Sequence, residues 1–166
     1  MKKAFIAIPV VFFVIVIILF KIERNVHVER SVIINAPVNE VKQQIIDFRN
    51  YHKWSPWAKI DTNMTLNFNE LQGEIGATYS WIGNDKIGSG SQTLVGISKD
   101  SITIDLTYHR TSSQMSFKLQ DQNGLTKIKW NYDSDMSFLI TLLIDMDQEL
   151  GNLYEQGLID LKELTE

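Results

Sequence analysis

The seventeen residues from Ala4 to Phe20, AFIAIPVVFFVIVIILF, carry no charged or polar side chain, and no other feature limits the fold so sharply. A surface helix of a domain keeps a polar stripe along one side, and this segment has none. As a helix rising about 1.5 Å per residue it reaches roughly 26 Å, just enough for the hydrocarbon core of a bilayer. Ile22 lengthens the apolar stretch, and Lys3 and Lys21 can extend their ammonium groups to the two headgroup layers. Pro9 kinks such a span without forbidding it. A cleaved signal peptide needs small residues just after the apolar run. Lys21-Ile22-Glu23-Arg24 follows instead, and no cysteine is present for lipid attachment. The reading is an uncleaved single-pass anchor over residues 1–24, followed by one domain over residues 25–166.

Charge separates the two parts. Residues 1–24 hold Lys2, Lys3, Lys21 and Arg24 against Glu23, a balance of plus three, so the overall charge of −4 leaves minus seven on residues 25–166. An acidic domain without clustered lysines and arginines lacks the basic face that nucleic-acid binding requires. Positive charge flanks the span almost evenly. Glu23 and Glu29 dilute the cluster after it, which favours an extracytoplasmic domain. No disulfide can staple the fold.

Within the domain, Val26–Ile34 is β-branched and alternating, as a first strand should be. Ala36-Pro37 stops it, and Val38, Val41, Ile45 and Phe48 then recur at helical spacing. The segment YHKWSPWA, Tyr51–Ala58, suits a packed connection or a second short helix. Period-two sets follow: Met64, Leu66 and Phe68; Tyr79 and Trp81; Gln92 and Leu94; Ile102, Ile104, Leu106 and Tyr108; Met115, Phe117 and Leu119; Ile128, Trp130 and Tyr132. Turn signals at Gly83-Asn84-Asp85, Lys99-Asp100, Arg110–Ser112 and Gln122-Asn123-Gly124 separate these sets into a meander. A long helix is predicted from Ser137 to Leu164, with Leu139, Leu143, Met146, Leu150, Leu153, Leu161 and Leu164 on its apolar stripe. Gly157 on that stripe implies close approach to the sheet. Asp145, Asp147, Glu149, Glu155, Asp160 and Glu163 are expected to form a solvated face. The predicted class is α+β: about seven antiparallel strands curved around one long C-terminal helix.

The stretches RSVIINAPVNEVKQQIIDFRNYHKWSPWAKID (30–61), GATYSWIGNDKIGSGSQTL (76–94) and YEQGLIDLKEL (154–164) resemble the START-like, Bet v 1-like superfamily of helix-grip domains. Within it they are similar to the bacterial group labelled polyketide cyclase/dehydrase or SRPBCC proteins. The resemblance covers essentially all of residues 25–166. It implies a deep apolar cavity between sheet and C-terminal helix that holds a hydrophobic small molecule, lipid-like or polyketide-like. It does not decide whether the domain catalyses anything.

The residues themselves offer little chemistry. His27, His52 and His109 lack metal-ligand spacing, so no metal and no cofactor is expected. Gly88-Ser89-Gly90-Ser91 precedes a strand where a phosphate loop needs a helix N-terminus; these glycines are read as places where the strand bends around the closing helix. Asp105 and Asp133 alternate out of phase with their apolar neighbours and should face solvent. Glu70, Arg110 and His52 are candidate polar contacts of a cavity, Glu70 being in phase with Phe68. The constellation with most weight is aromatic: Trp54, Trp57, Tyr79, Trp81, Tyr108, Phe117, Trp130 and Tyr132 are the candidate ligand-binding residues. They fit a filled core as well as a lined cavity. The leading expectation is a membrane-tethered, monomeric binding or carrier domain for a hydrophobic small molecule. A cyclase- or dehydratase-type enzyme and a non-catalytic regulatory or protein-interaction domain are the alternatives.

Overall fold

The computed structural model describes residue 13, residues 15–19, residues 21–108 and residues 111–166. The expected span over residues 4–20 lies mostly outside the described residues, as do His109 and Arg110. Among the described residues no helix is long and apolar enough to cross a membrane.

The first strand, β1 (Glu23–Ile34), starts two residues before the expected domain boundary. Three short helices follow, α1 (Val38–Ile46), α2 (Phe48–Trp54) and α3 (Pro56–Ile60). Pro37 sits just before the first of them, with φ −62° and extended ψ, as the ring demands. Asp47 interrupts the helical path, and its carboxylate accepts the Arg49 N–H to start α2. Six strands form the meander: β2 (Thr65–Phe68), β3 (Thr78–Ile82), β4 (Ser89–Ile97), β5 (Ser101–Tyr108), β6 (Thr111–Gln122) and β7 (Leu125–Ser137). Helices α4 (Phe138–Leu143) and α5 (Met146–Thr165) close the chain.

All seven strands pair antiparallel in one curved sheet, in the order β1-β7-β6-β5-β4-β3-β2. Hairpins build the sheet from β2 to β7, and β1 joins at the β7 edge with Val28 opposite Tyr132 and Val32 opposite Ile128. The β6–β7 turn is Asn123-Gly124, with φ of 59° and 90°; two residues in the left-handed region match the twist of the flanking strands. The register of β4 and β5 slips between Leu94 and Gly96, a bulge that adds bend. On the inner face, Leu94, Ile102, Ile104, Met115, Phe117, Ile128 and Trp130 are buried, as are Tyr154, Leu158 and Leu161 of α5. Burial of each large side chain contributes roughly 1.5–3 kcal/mol.

The expected single helix over Ser137–Leu164 is two helices. Strand β7 runs on to Ser137, α4 packs at its end, and Ile144 is extended. The Asp145 carboxylate then accepts the Gln148 N–H and starts α5. Leu143 and Leu164, expected on the buried stripe, are exposed. The buried positions of α5 are Gly151, Tyr154, Gly157, Leu158, Asp160 and Leu161. Asp160 is thus not on the solvated face. Its Oδ2 lies 2.6 Å from Lys59 Nζ of α3, and Gln156 donates to its Oδ1. A pairing this close offsets the cost of removing the carboxylate from water. Gly157 does mark a close approach: a Cβ there would stand 2.9 Å from Pro56 Cδ and 3.0 Å from Trp130 Cζ3.

Candidate functional site

The first turn of α5 is held by charge. Arg30 points from the inner face of β1, and its guanidinium donates to the Asp147 carboxylate at 2.9 Å and to the Asp147 carbonyl at 2.8 Å. This fork raises the Arg30 pKa, and the guanidinium in turn lowers that of Asp147. Glycine at position 151 leaves room for the guanidinium against the helix. With α5 fixed at Arg30 near its start and at Pro56 and Trp130 in its middle, sheet and helix do not meet everywhere. A cavity of about 390 Å³ remains between them.

Tyr51, Ser55 and Trp57 of the α2–α3 region wall one side, and Met146, Leu150 and Tyr154 of α5 another. The sheet supplies Tyr79, Trp81, Gln92, Leu106, Tyr108, Thr111, Ser113, Met115, Tyr132 and Met136. Met64, Lys86 and Ile87 complete the lining. Alternation along each strand places these residues inward, and the pairing aligns Tyr79, Gln92 and Leu106 across three neighbouring strands. Trp81 lies over Gly90, its cross-strand partner; a Cβ at Gly90 would be 2.5 Å from the indole and 2.6 Å from the Thr107 carbonyl. Gly90 therefore seats an indole, a closer account than the general bending expected of the Gly88–Ser91 stretch.

The eight aromatic candidates divide. Trp57, Tyr79, Trp81, Tyr108 and Tyr132 line the cavity. Trp54, Phe117 and Trp130 lie beside it in a solid stack, where Trp130 is 5.0 Å from Phe117, 5.4 Å from Trp54 and 3.9 Å from Tyr154 between ring centroids. Tyr51 and Tyr154 belong to the lining and were not among the candidates. Tyr51 sits in the irregular YHKWSPWA segment, where periodicity assigns no face. Tyr154 is a helical residue whose neighbours also fit a filled core.

The polar chemistry of the lining is neutral. Burial pushes the Tyr79 hydroxyl up to about 12 and likewise raises those of Tyr51 and Tyr154, so all three keep their protons at neutral pH. Lys86 is the one charged group among the described lining residues, and it is exposed. Glu70 is exposed beyond the end of β2 and does not reach the inner face, because the alternating strand stops at Phe68. The His52 ring lies 6.4 Å from that of Tyr79 and is tilted against it, and burial lowers its pKa, but it does not line the cavity. Asp105 and Asp133 face outward. Among the described residues no cluster of histidines and carboxylates could hold a metal. Two further hollows, about 460 and 470 Å³, lie on the outer face of the sheet, beside Asp105, Asp133 and Asp135 and beside Lys118, Lys127 and Lys129. They are open, polar indentations between exposed strand residues, without the apolar walls of the inner cavity.

No protein-family model and no curated protein matches the chain. Solved structures do. A truncated norcoclaurine synthase from Thalictrum flavum superposes with a TM-score of 0.63 at 10% identity, over 86% of this chain and 94% of that one. Ara h 8.0201 gives 0.60 at 11%, over 86% and 98%. The Aha1 dimer from Colwellia psychrerythraea gives 0.63 at 15%, over 85% and 96%. At such identities the likeness establishes the fold alone: the chain has the Bet v 1-like, helix-grip architecture.

Proposed function

We propose that the chain is a membrane-tethered binding or carrier domain for a hydrophobic small molecule, lipid-like or polyketide-like, taken up between the sheet and α5. The observation that carries this reading is the cavity of about 390 Å³, walled by aromatic, methionine and leucine side chains with few polar groups. Small-molecule sites generally have this size and lining. Trp57, Tyr79, Trp81, Tyr108 and Tyr132 form the contact surface, and Trp54, Phe117 and Trp130 support it from the packed core. The finer family placement, in the polyketide cyclase/dehydrase-type group, rests on the opening motif at Arg30–Asp61.

Tethering rests on the apolar run at residues 4–20 and gains support from α4. Leu142, Leu143 and Ile144 are 63%, 85% and 44% exposed, an apolar edge that water disfavours. The same helix is tied to the point where the chain leaves for the bilayer, through the Phe138 N–H donating to the Ile22 carbonyl at 2.7 Å. Met136 and Met146, which flank α4 in sequence, line the cavity. On this reading the site lies beside the membrane, where a poorly soluble ligand is concentrated. The reading takes the domain as monomeric and extracytoplasmic, without a nucleic-acid partner.

Residues 23–166 contain every described core residue. Purified without the preceding segment, they are expected to carry co-purifying lipid-like molecules, detected as mass adducts by native mass spectrometry and identified after extraction. Protein that remains unliganded, and still takes up nothing when offered lipid extract, sinks the carrier reading.

A further inference from the structure

Methionine is scarce in this chain and concentrated at the cavity. Of the five methionines one is the first residue, and the other four, Met64, Met115, Met136 and Met146, all line the space between sheet and α5. They reach it from four separate places: the approach to β2, strand β6, the end of β7 and the start of α5. Among the described lining residues the aliphatic side chains are Ile87, Leu106 and Leu150, although leucine and isoleucine are far commoner in the chain. Leucine fills such a wall about as well as methionine does. What methionine adds is a flexible, polarisable thioether that can be oxidised. Burial sorts the four: Met115 is 1% exposed, whereas Met64, Met136 and Met146 are partly exposed and so stand at the cavity mouth. The chain has no cysteine, so an oxidant that reaches the domain meets no thiol first.

We infer that Met64, Met136 and Met146 are modification sites through which a peroxide closes the cavity to apolar ligands. The inference rests on the binding reading above and supplies its regulation. The thioether sulfur attacks one oxygen of hydrogen peroxide, an S–O bond forms as the O–O bond breaks, and the departing hydroxide takes the proton left on the transferred oxygen and leaves as water. Sulfur is oxidised by two electrons, and the peroxide is reduced by two. The sulfoxide that results is polar and accepts hydrogen bonds from water. Three such groups turn an apolar rim into one that an apolar guest must first dehydrate. Met115 lies shielded beneath them, so the packed core stays intact while the mouth changes. Sulfoxide reductases reverse the step, one enzyme for each epimer, which makes it a switch rather than a lesion.

The test uses the full chain in nanodiscs of saturated phosphatidylcholine, with N-phenyl-1-naphthylamine as a neutral apolar probe. Energy transfer from Trp57 and Trp81, which line the cavity, reports occupancy; empty discs supply the correction for probe in the bilayer. Limited exposure to hydrogen peroxide should add one oxygen to each of Met64, Met136 and Met146, read by peptide mass mapping, before Met115 reacts. Probe affinity should then fall about tenfold, the effect of one polar group left unpaired on burial. The folded circular-dichroism signal should stay, and the two reductases should restore binding. In the triple variant Met64→Leu, Met136→Leu and Met146→Leu, the affinity before treatment serves as that variant's own reference, and peroxide should change it by less than about twofold. Oxidation of the three sites with unchanged probe binding overturns the inference. So does an equal loss of affinity in the triple variant, or a loss of the folded signal together with binding. Resistance of the three methionines at exposures that oxidise free methionine overturns it as well. All of these leave the binding reading standing, whereas a parent chain that takes up no probe before treatment removes both.

Discussion

The indole of Trp130 lies flat on the phenol ring of Tyr154, with centroids 3.9 Å apart and planes 11° from parallel. One ring belongs to β7 and the other to α5, so this contact clamps the helix to the sheet at the edge of the cavity. Both residues are buried, and Trp54, Trp57, Phe117 and Tyr51 surround the indole. Trp130→Ala is expected to lower stability by about 3–5 kcal/mol, the range for deleting a large buried aromatic ring. Trp57→Ala, on the partly buried cavity wall, should cost clearly less. Urea unfolding midpoints of the two variants check this order, and equal losses would show that the stack is no firmer than the wall.

Two glycines on α5 should respond differently to the same substitution. A Cβ at Gly157 meets the Pro56 ring and the Trp130 indole, neither of which can move without shifting α3 or the aromatic stack. At Gly151 it meets the guanidinium of Arg30, the far end of a flexible side chain. Gly157→Val is therefore expected to destabilise by about 1–3 kcal/mol through overpacking. Gly151→Ala should lose only the Arg30–Asp147 fork and regain part of that through better helix propensity. Thermal unfolding of both variants distinguishes rigid from yielding neighbours.

Alkaline stability depends on three buried phenols. Tyrosine in an unfolded chain ionises near pH 10. In the fold Tyr79 is pushed up to about 12, and Tyr51 and Tyr154 are raised as well, each chiefly by burial. Between pH 10 and 12 the unfolded chain gives up protons that the folded chain keeps. Stability must then fall as pH rises through that window. Phenolate absorbance of these three residues should appear together with loss of the folded circular-dichroism signal. Early ionisation in the intact fold would mean that water reaches the hydroxyls.

The exposed edge of α4 predicts a separation of stability from membrane contact. Leu142→Ser with Leu143→Ser removes apolar surface that is already in water, so the unfolding free energy should change by no more than about 0.5 kcal/mol for each site. Sedimentation of residues 23–166 with phosphatidylcholine vesicles should decrease in the same variant. Unchanged sedimentation would dissociate α4 from the bilayer and leave the tether at residues 4–20 as the sole basis for membrane contact.

Strand identity and facing were legible because alternation is a local property. Ile102, Ile104, Met115, Phe117, Ile128 and Trp130 follow period two in the chain and are all buried on one face of the sheet. The Asn123-Gly124 pair signalled a tight hairpin for the same reason, since left-handed backbone at both positions suits few other dipeptides. The end of β7 was harder. Phe138–Leu143 has a helical apolar pattern continuous with that of α5, and only the extended Ile144 and the cap at Asp145 separate the two helices. Asp160 looked like its acidic neighbours until Lys59 of another helix came within reach.

Residue order alone determined an α+β domain with an inward aromatic face, preceded by an apolar run at residues 4–20, because backbone direction and side-chain alternation are settled within a few residues. Whether that face is filled or hollow was decided by the tertiary structure. Trp130 and Tyr132 stand two positions apart on the same side of β7, yet one is locked in the stack and the other borders the cavity. The difference is the distance to the opposite layer. That distance follows from the curvature of the whole sheet and from where Arg30, Pro56 and Trp130 pin α5, contacts between residues far apart in the chain.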